Sequence, residues 1–122
     1  KSWKLPVLQP LGLEGKMNCR DFGGGVKGFR FPGDRADYSI EIQKPFTVSF
    51  VATGKRLDQC APISLLVDSR SVEEKSRTAE RIVFGSAALP AGTVPVSLVV
   101  LKDATSGSAD GEVITVTLKL ER

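Results

Sequence analysis

Val113-Ile114-Thr115-Val116-Thr117-Leu118-Lys119-Leu120 closes the chain with its clearest pattern. In an extended strand successive side chains point to opposite faces, so Ile114, Val116, Leu118 and Leu120 share one side, and all four are apolar. That set is expected in a core. Thr115, Thr117 and Lys119 lie on the other face and are expected to meet water.

The same period of two recurs upstream. Tyr38-Ser39-Ile40-Glu41-Ile42 and Phe46-Thr47-Val48-Ser49-Phe50-Val51 alternate, and Pro62-Ile63-Ser64-Leu65-Leu66-Val67 is a short, nearly continuous apolar run. Arg81-Ile82-Val83-Phe84 is shorter, and Val94-Pro95-Val96-Ser97-Leu98-Val99-Val100-Leu101 is the longest. Such runs, rich in Val, Ile, Thr and Phe, read as strands. Turn-forming clusters separate them: Gly23-Gly24-Gly25, Phe31-Pro32-Gly33-Asp34, Thr53-Gly54-Lys55, Pro90-Ala91-Gly92 and Ser106 to Gly111. The expected fold is all-β, an antiparallel sandwich of about eight strands in a jelly-roll-like arrangement. Pro95 implies an edge strand or a bulge, because proline cannot donate to a ladder. The polar stretch Ser71 to Glu80 has a capping-box pair, Ser71 and Glu74, but no apolar stripe, and is expected to be a solvated loop or a single helical turn. Residues 1–22 are expected to form an irregular lead-in with one strand around Leu5 to Leu8.

The 122 residues suit one domain, residues 1–122. No apolar run approaches the ~18 residues of a membrane-crossing helix. The chain starts Lys1-Ser2-Trp3-Lys4 without a methionine, which suggests a module cut from a longer protein.

Histidine is absent. This removes Ser/His and Cys/His nucleophile pairs, His-ligated metal sites and the usual general base near neutral pH. No GxxxxGK[ST] motif accompanies the glycine run, so Gly23 to Gly25 read as a flexible turn rather than a phosphate loop. No catalytic residue is assigned, no cofactor is expected, and the chain is not expected to be an enzyme. Cys19 and Cys60 would either form one disulfide in an oxidising compartment or remain free thiols in the cytosol. Asp103, Asp110 and Glu112 flank one loop and are candidate ligands for a weak calcium site.

Net charge is 17 − 14 = +3. Residues 1–60 carry 10 basic and 6 acidic groups, and residues 61–122 carry 7 and 8, so a +4 half joins a −1 half. The basic excess centres on Arg20, Lys27, Arg30, Arg35, Lys55 and Arg56. These six are the candidate binding residues for an acidic partner: a protein, a neighbouring domain or an anionic membrane surface. Nucleic acid is not expected, because net charge is modest and the nearby Phe22, Phe29 and Phe31 sit where core residues belong.

One order of motifs goes beyond generic β structure. Trp3, the Gly-Gly stretch, Phe29 with Phe31-Pro32, and Tyr38 to Ile42 come first. Pro45 to Phe50, Ile63 to Val67, Leu89-Pro90-Ala91-Gly92 and Gly111 to Val116 follow. This order resembles the β-sandwich domain that follows the protease core in calpain-type proteins; bacterial pre-peptidase C-terminal domains show a similar strand order. The resemblance implies a non-catalytic interaction module of a larger cytoplasmic protein, associating with a membrane or a neighbouring domain. The alternative is an extracellular adhesin or a carbohydrate-binding domain of a secreted protein.

Overall fold

The computed structural model describes residues 2–4, 12–14, 18–19 and 26–120. Two antiparallel sheets face each other. The larger contains β3 (Asn18–Cys19), β4 (Val26–Gly28), β12 (Gly111–Leu120), β6 (Phe46–Lys55), β10 (Arg81–Leu89) and β9 (Glu74–Arg77) in that order, with β1 (Ser2–Lys4) also on β12. The smaller runs β2 (Gly12–Glu14), β5 (Arg35–Ile42), β11 (Gly92–Val100), β7 (Ile63–Val67) and β8 (Arg70–Val72). The chain changes sheet at six of the eight connections after β4, the hairpins β7–β8 and β9–β10 being the exceptions, and such crossing closes two layers over one core. The expected all-β sandwich is therefore present, with twelve strands among the described residues. Several of the additional strands have only two or three residues. The expected strand around Leu5 to Leu8 lies outside the described residues, and the described parts of the lead-in are β1, β2 and β3.

The core explains the alternation. Ala36, Ile40 and Ile42 of β5 and Val94, Val96, Leu98 and Val100 of β11 point inward, and they meet Val48, Phe50 and Ala52 of β6. Phe29, Phe50 and Phe84 are fully buried between the layers. Burial of each such ring contributes roughly 1.5–3 kcal/mol. Phe29 reaches the core from a left-handed backbone, φ +61°, which a bulky residue rarely adopts.

Three readings of the sequence are corrected. Ile114 was expected in the core, yet it is 42% exposed, whereas Val113 is 1% exposed. The cause is a β-bulge. Val113 pairs with Gly54 and Thr115 with Thr53, so Ile114 is an extra residue with no partner on β6. One inserted residue reverses the phase of the strand. Val113 therefore points inward before the bulge, and Val116 and Leu118 point inward after it. Pro95 was expected at an edge or a bulge, but β11 is a central strand. The Pro95 carbonyl accepts a bond from Asp68 N at 2.9 Å. The two backbone groups of one strand residue face the same neighbour, so the missing Pro95 donor faces β7. There the paired register ends at Val96–Val67, so the missing donor falls at the end of the ladder rather than inside it. Residues 71–80, expected as a loop or a helical turn, contain the end of β8 and all of β9. These strands form because each is a hairpin partner of an apolar strand, β7 and β10 respectively.

Candidate functional site

Every second residue of β6 and β12 on the larger sheet must point away from the core. Val51, Thr53 and Lys55 do so on β6, and Thr117 and Lys119 do so on β12. Register sets them side by side: Thr117 lies opposite Val51, and Lys119 lies opposite Ser49. On the other flank of β6, Arg81 lies opposite Thr53 and Val83 opposite Val51. Val51, Thr53, Lys55, Arg81, Thr117 and Lys119 line an open groove of about 540 Å³ with Gly54, Glu80 and the bulge residue Ile114.

The upper end of the groove is held by backbone bonds. Thr78 N donates to the Arg81 carbonyl at 2.8 Å, closing the β9–β10 turn. The Thr78 hydroxyl oxygen accepts from Glu80 N and Arg81 N. The turn is tied to the end of β6, where Gly54 N donates to the Glu80 carbonyl at 2.8 Å and Leu57 N to the Ala79 carbonyl at 3.0 Å. Glu80 and Arg81 are thus placed at the groove rim on a fixed turn.

The groove is mixed in chemistry. Val51 is buried and Ile114 exposed; these two are the apolar side chains of the lining. Thr53 and Thr117 supply hydroxyls, Lys55, Arg81 and Lys119 supply positive charge, and Glu80 is the one carboxylate in the lining. Lining charges sum to 3 − 1 = +2. No aromatic side chain lines it, and the exposed large apolar side chains among the described residues are Leu101 and Ile114.

Of the six basic residues singled out from the sequence, the five that are described do not converge. Arg20 lies outside the described residues. Lys27 on β4 and Lys55 on β6 both neighbour Glu112 in register. Arg56 is exposed at a turn with φ +57°. Arg30 is held at the loop end of the sandwich, with Nε donating to the Gly107 carbonyl at 3.2 Å and the guanidinium 5.1 Å from the Phe31 ring centre. Arg35 lies on the opposite sheet, where its Nε is 2.8 Å from Asp37 Oδ1. Of the five described, only Lys55 lines the groove. Arg81, Lys119 and Glu80 were missed. The outward-facing set that included Lys119 was visible in the last strand, but its juxtaposition with Arg81 depends on β6 standing between β10 and β12.

The candidate calcium ligands are dispersed as well. Glu112 is buried in β12 between two lysine-bearing strands, Asp103 is exposed and Asp110 half-buried. No group of three potential metal ligands occurs among the described residues.

Cys60 is a buried free thiol; the side chain of Cys19 lies outside the described residues. The Cys60 thiol donates to the Leu57 carbonyl at 3.1 Å. Arg77 Nη1 donates to the Leu57 and Cys60 carbonyls at 2.6 and 3.0 Å, and Nη2 donates to the Ala61 carbonyl at 3.2 Å. Arg77 is ion-paired with Glu74, whose Oε1 also accepts from Ile63 N at 3.1 Å. This cluster pins loop 57–61 against β9 and has a structural job. Burial pushes the Cys60 thiol above its ordinary value, although the adjacent Arg77 charge pulls the other way.

No protein-family model matches the sequence, and no curated protein is significantly similar to it. Solved structures do share the fold. The chain is similar to part of a GH26-CBM35 β-(1,4)-mannanase from Podospora anserina, with TM-score 0.71 and 12% identity, over 99% of this chain and 28% of that one. It is similar to the CBM35 of Abf62 from Cellvibrio japonicus, with TM-score 0.64 and 11% identity, over 97% of this chain and 92% of that one. It is also similar to the C-terminal CBM6 of LamC, a marine laminarinase from Zobellia galactanivorans, with TM-score 0.67 and 15% identity, over 98% and 99% of the two chains. The chain spans little over a quarter of the mannanase but nearly the whole of the two separate modules. These neighbours overturn the calpain-type and pre-peptidase readings. Shared strand order misled there, because a jelly roll's alternation of turns and strands is common to unrelated families. The expectation of a protein, neighbouring-domain or membrane partner rested on that resemblance and on a basic cluster the fold disperses, and it is withdrawn with them.

Proposed function

We propose that the chain is a non-catalytic carbohydrate-binding module of a secreted protein, and that the groove over β10, β6 and β12 is its ligand surface. The observation that carries this reading is the match, over nearly the full length of both partners, to separate carbohydrate-binding modules. The groove supports it in chemical terms. It is open, so an internal stretch of a polymer can lie along it, and it offers hydroxyls, charges and two apolar side chains on a rigid sheet. Sugars present hydroxyl edges and C–H faces, and recognition by fixed hydrogen-bonding groups beside an apolar surface suits both. The sheet supplies pre-organisation, which lowers the ordering cost of binding.

Affinity electrophoresis of the intact chain through gels containing individual polysaccharides tests the reading. Retardation by at least one polysaccharide is expected. Migration unchanged in every polysaccharide gel would overturn it.

A further inference from the structure

We infer that the groove selects an anionic glycan, one carrying carboxylate or sulfate groups along its chain, and holds an internal stretch of it rather than a single sugar. The inference rests on the carbohydrate-binding reading above and names the ligand class for the same groove.

Three observations lead there. First, cations with an internal role can be separated from those without one. Arg35 and Arg77 are ion-paired, and Arg30 is held by Gly107 and Phe31. Lys55, Arg81 and Lys119 make no ion pair among the described residues, yet all three line one groove with a single carboxylate, Glu80. Three cations against the one carboxylate of the lining leave a shared concave surface with a net charge of +2, which raises the local concentration of anions.

Second, the groove lacks the group that would hold a neutral pyranose by its face. No aromatic ring lines it, and no described aromatic side chain is among the exposed large hydrophobics. Ring stacking and its apolar area therefore do not supply the affinity there. Charge-assisted hydrogen bonds from lysine and arginine are the strongest interactions the lining offers.

Third, the charges are spread along the sheet. Lys55 stands at one end of the groove, and Lys119 lies opposite Ser49, six positions back along β6. At ~3.3 Å per residue this is about 20 Å, more than one sugar ring reaches. Arg81, opposite Thr53, stands between them on the far flank. A chain that meets all three cations must bring negative groups at intervals.

The test uses the intact chain in affinity gels and in calorimetry, with polygalacturonate as the carboxylated polymer, a sulfated galactan as the sulfated one and mannan as the neutral one. Binding to one or both charged polymers is expected, and which of them binds identifies the acid group. Binding should weaken about tenfold or more when K55Q, R81Q and K119Q are combined, with each alone giving about a two- to fivefold loss. It should also weaken as salt rises and grow stronger with oligosaccharide length. Arg70→Gln, on the opposite sheet, removes the same charge elsewhere and should leave binding unchanged. Equal binding of mannan and the charged polymers, insensitive to the triple variant, would overturn the charge assignment and leave the carbohydrate reading standing. Equal weakening by R70Q and by the groove variants would overturn the assignment to this groove. Failure to bind any polysaccharide, charged or neutral, would overturn both readings.

Discussion

A Cβ built on Gly54 would stand 1.6 Å from the carbonyl oxygen of Glu112. The bulge at Ile114 brings the backbone of β12 against β6 at this point, and only glycine leaves room for it. Gly54→Ala must push the two central strands apart. A destabilisation on the order of 3 kcal/mol is expected in urea unfolding, and the groove, which Gly54 helps to line, should lose ligand binding at the same time.

The bulge also predicts an inverted pair of mutational effects. Val113→Ala removes two buried methyl groups and should destabilise the fold by about 2 kcal/mol. Ile114→Ala, at an exposed position, should change stability by no more than about 0.5 kcal/mol. Uninterrupted alternation would require the opposite order, so chemical denaturation of the two variants checks the phase reversal directly.

The Cys60 thiol gives stability a pH dependence with a definite sign. Its folded pKa is raised by burial above the ordinary value of 9.0. The folded state therefore keeps a proton that the unfolded chain releases, and stability falls as pH rises above about 9, by up to about 1.4 kcal/mol per pH unit until the folded thiol ionises. The contribution is fully present below the unfolded value. Subtracting the stability-versus-pH curve of Cys60→Ala from that of the parent protein should reveal this slope. A difference that does not change between pH 8 and pH 11 would refute it.

Asp68 and Ser69 both adopt left-handed backbone, φ +51° and +67°, in the two-residue turn between β7 and β8. Hairpins of this kind favour glycine at the second position. Ser69→Gly relieves about 1–2 kcal/mol of strain against roughly 0.5–1 kcal/mol of added chain entropy. A net gain of about 0.5–1 kcal/mol is expected in thermal or urea unfolding.

The strands were legible because their signal is local. Val48, Phe50 and Ala52, or Val94, Val96, Leu98 and Val100, alternate within one segment, and burial of alternate side chains needs no knowledge of the partner. Residues 70–77 were not legible, since Arg70, Lys75 and Arg77 carry no apolar alternation of their own and become strands only through pairing with β7 and β10. The basic cluster failed for a related reason. Arg30 and Arg35 are five residues apart, yet one is drawn into the loop end and the other points out from the opposite sheet.

By itself the sequence determined the layer type, the placement of the six long strands and the absence of histidine-based chemistry, all of which follow from residue identity and a period of two. Tertiary structure alone decided the rest. Gly54, Glu112 and Ile114 make a bulge only when β6 and β12 are paired, and that bulge reverses which side chains of the last strand face water. Arg81 and Lys119 share a groove only because β6 lies between their strands. Pairing between distant segments sets both, and no property of either segment alone encodes it.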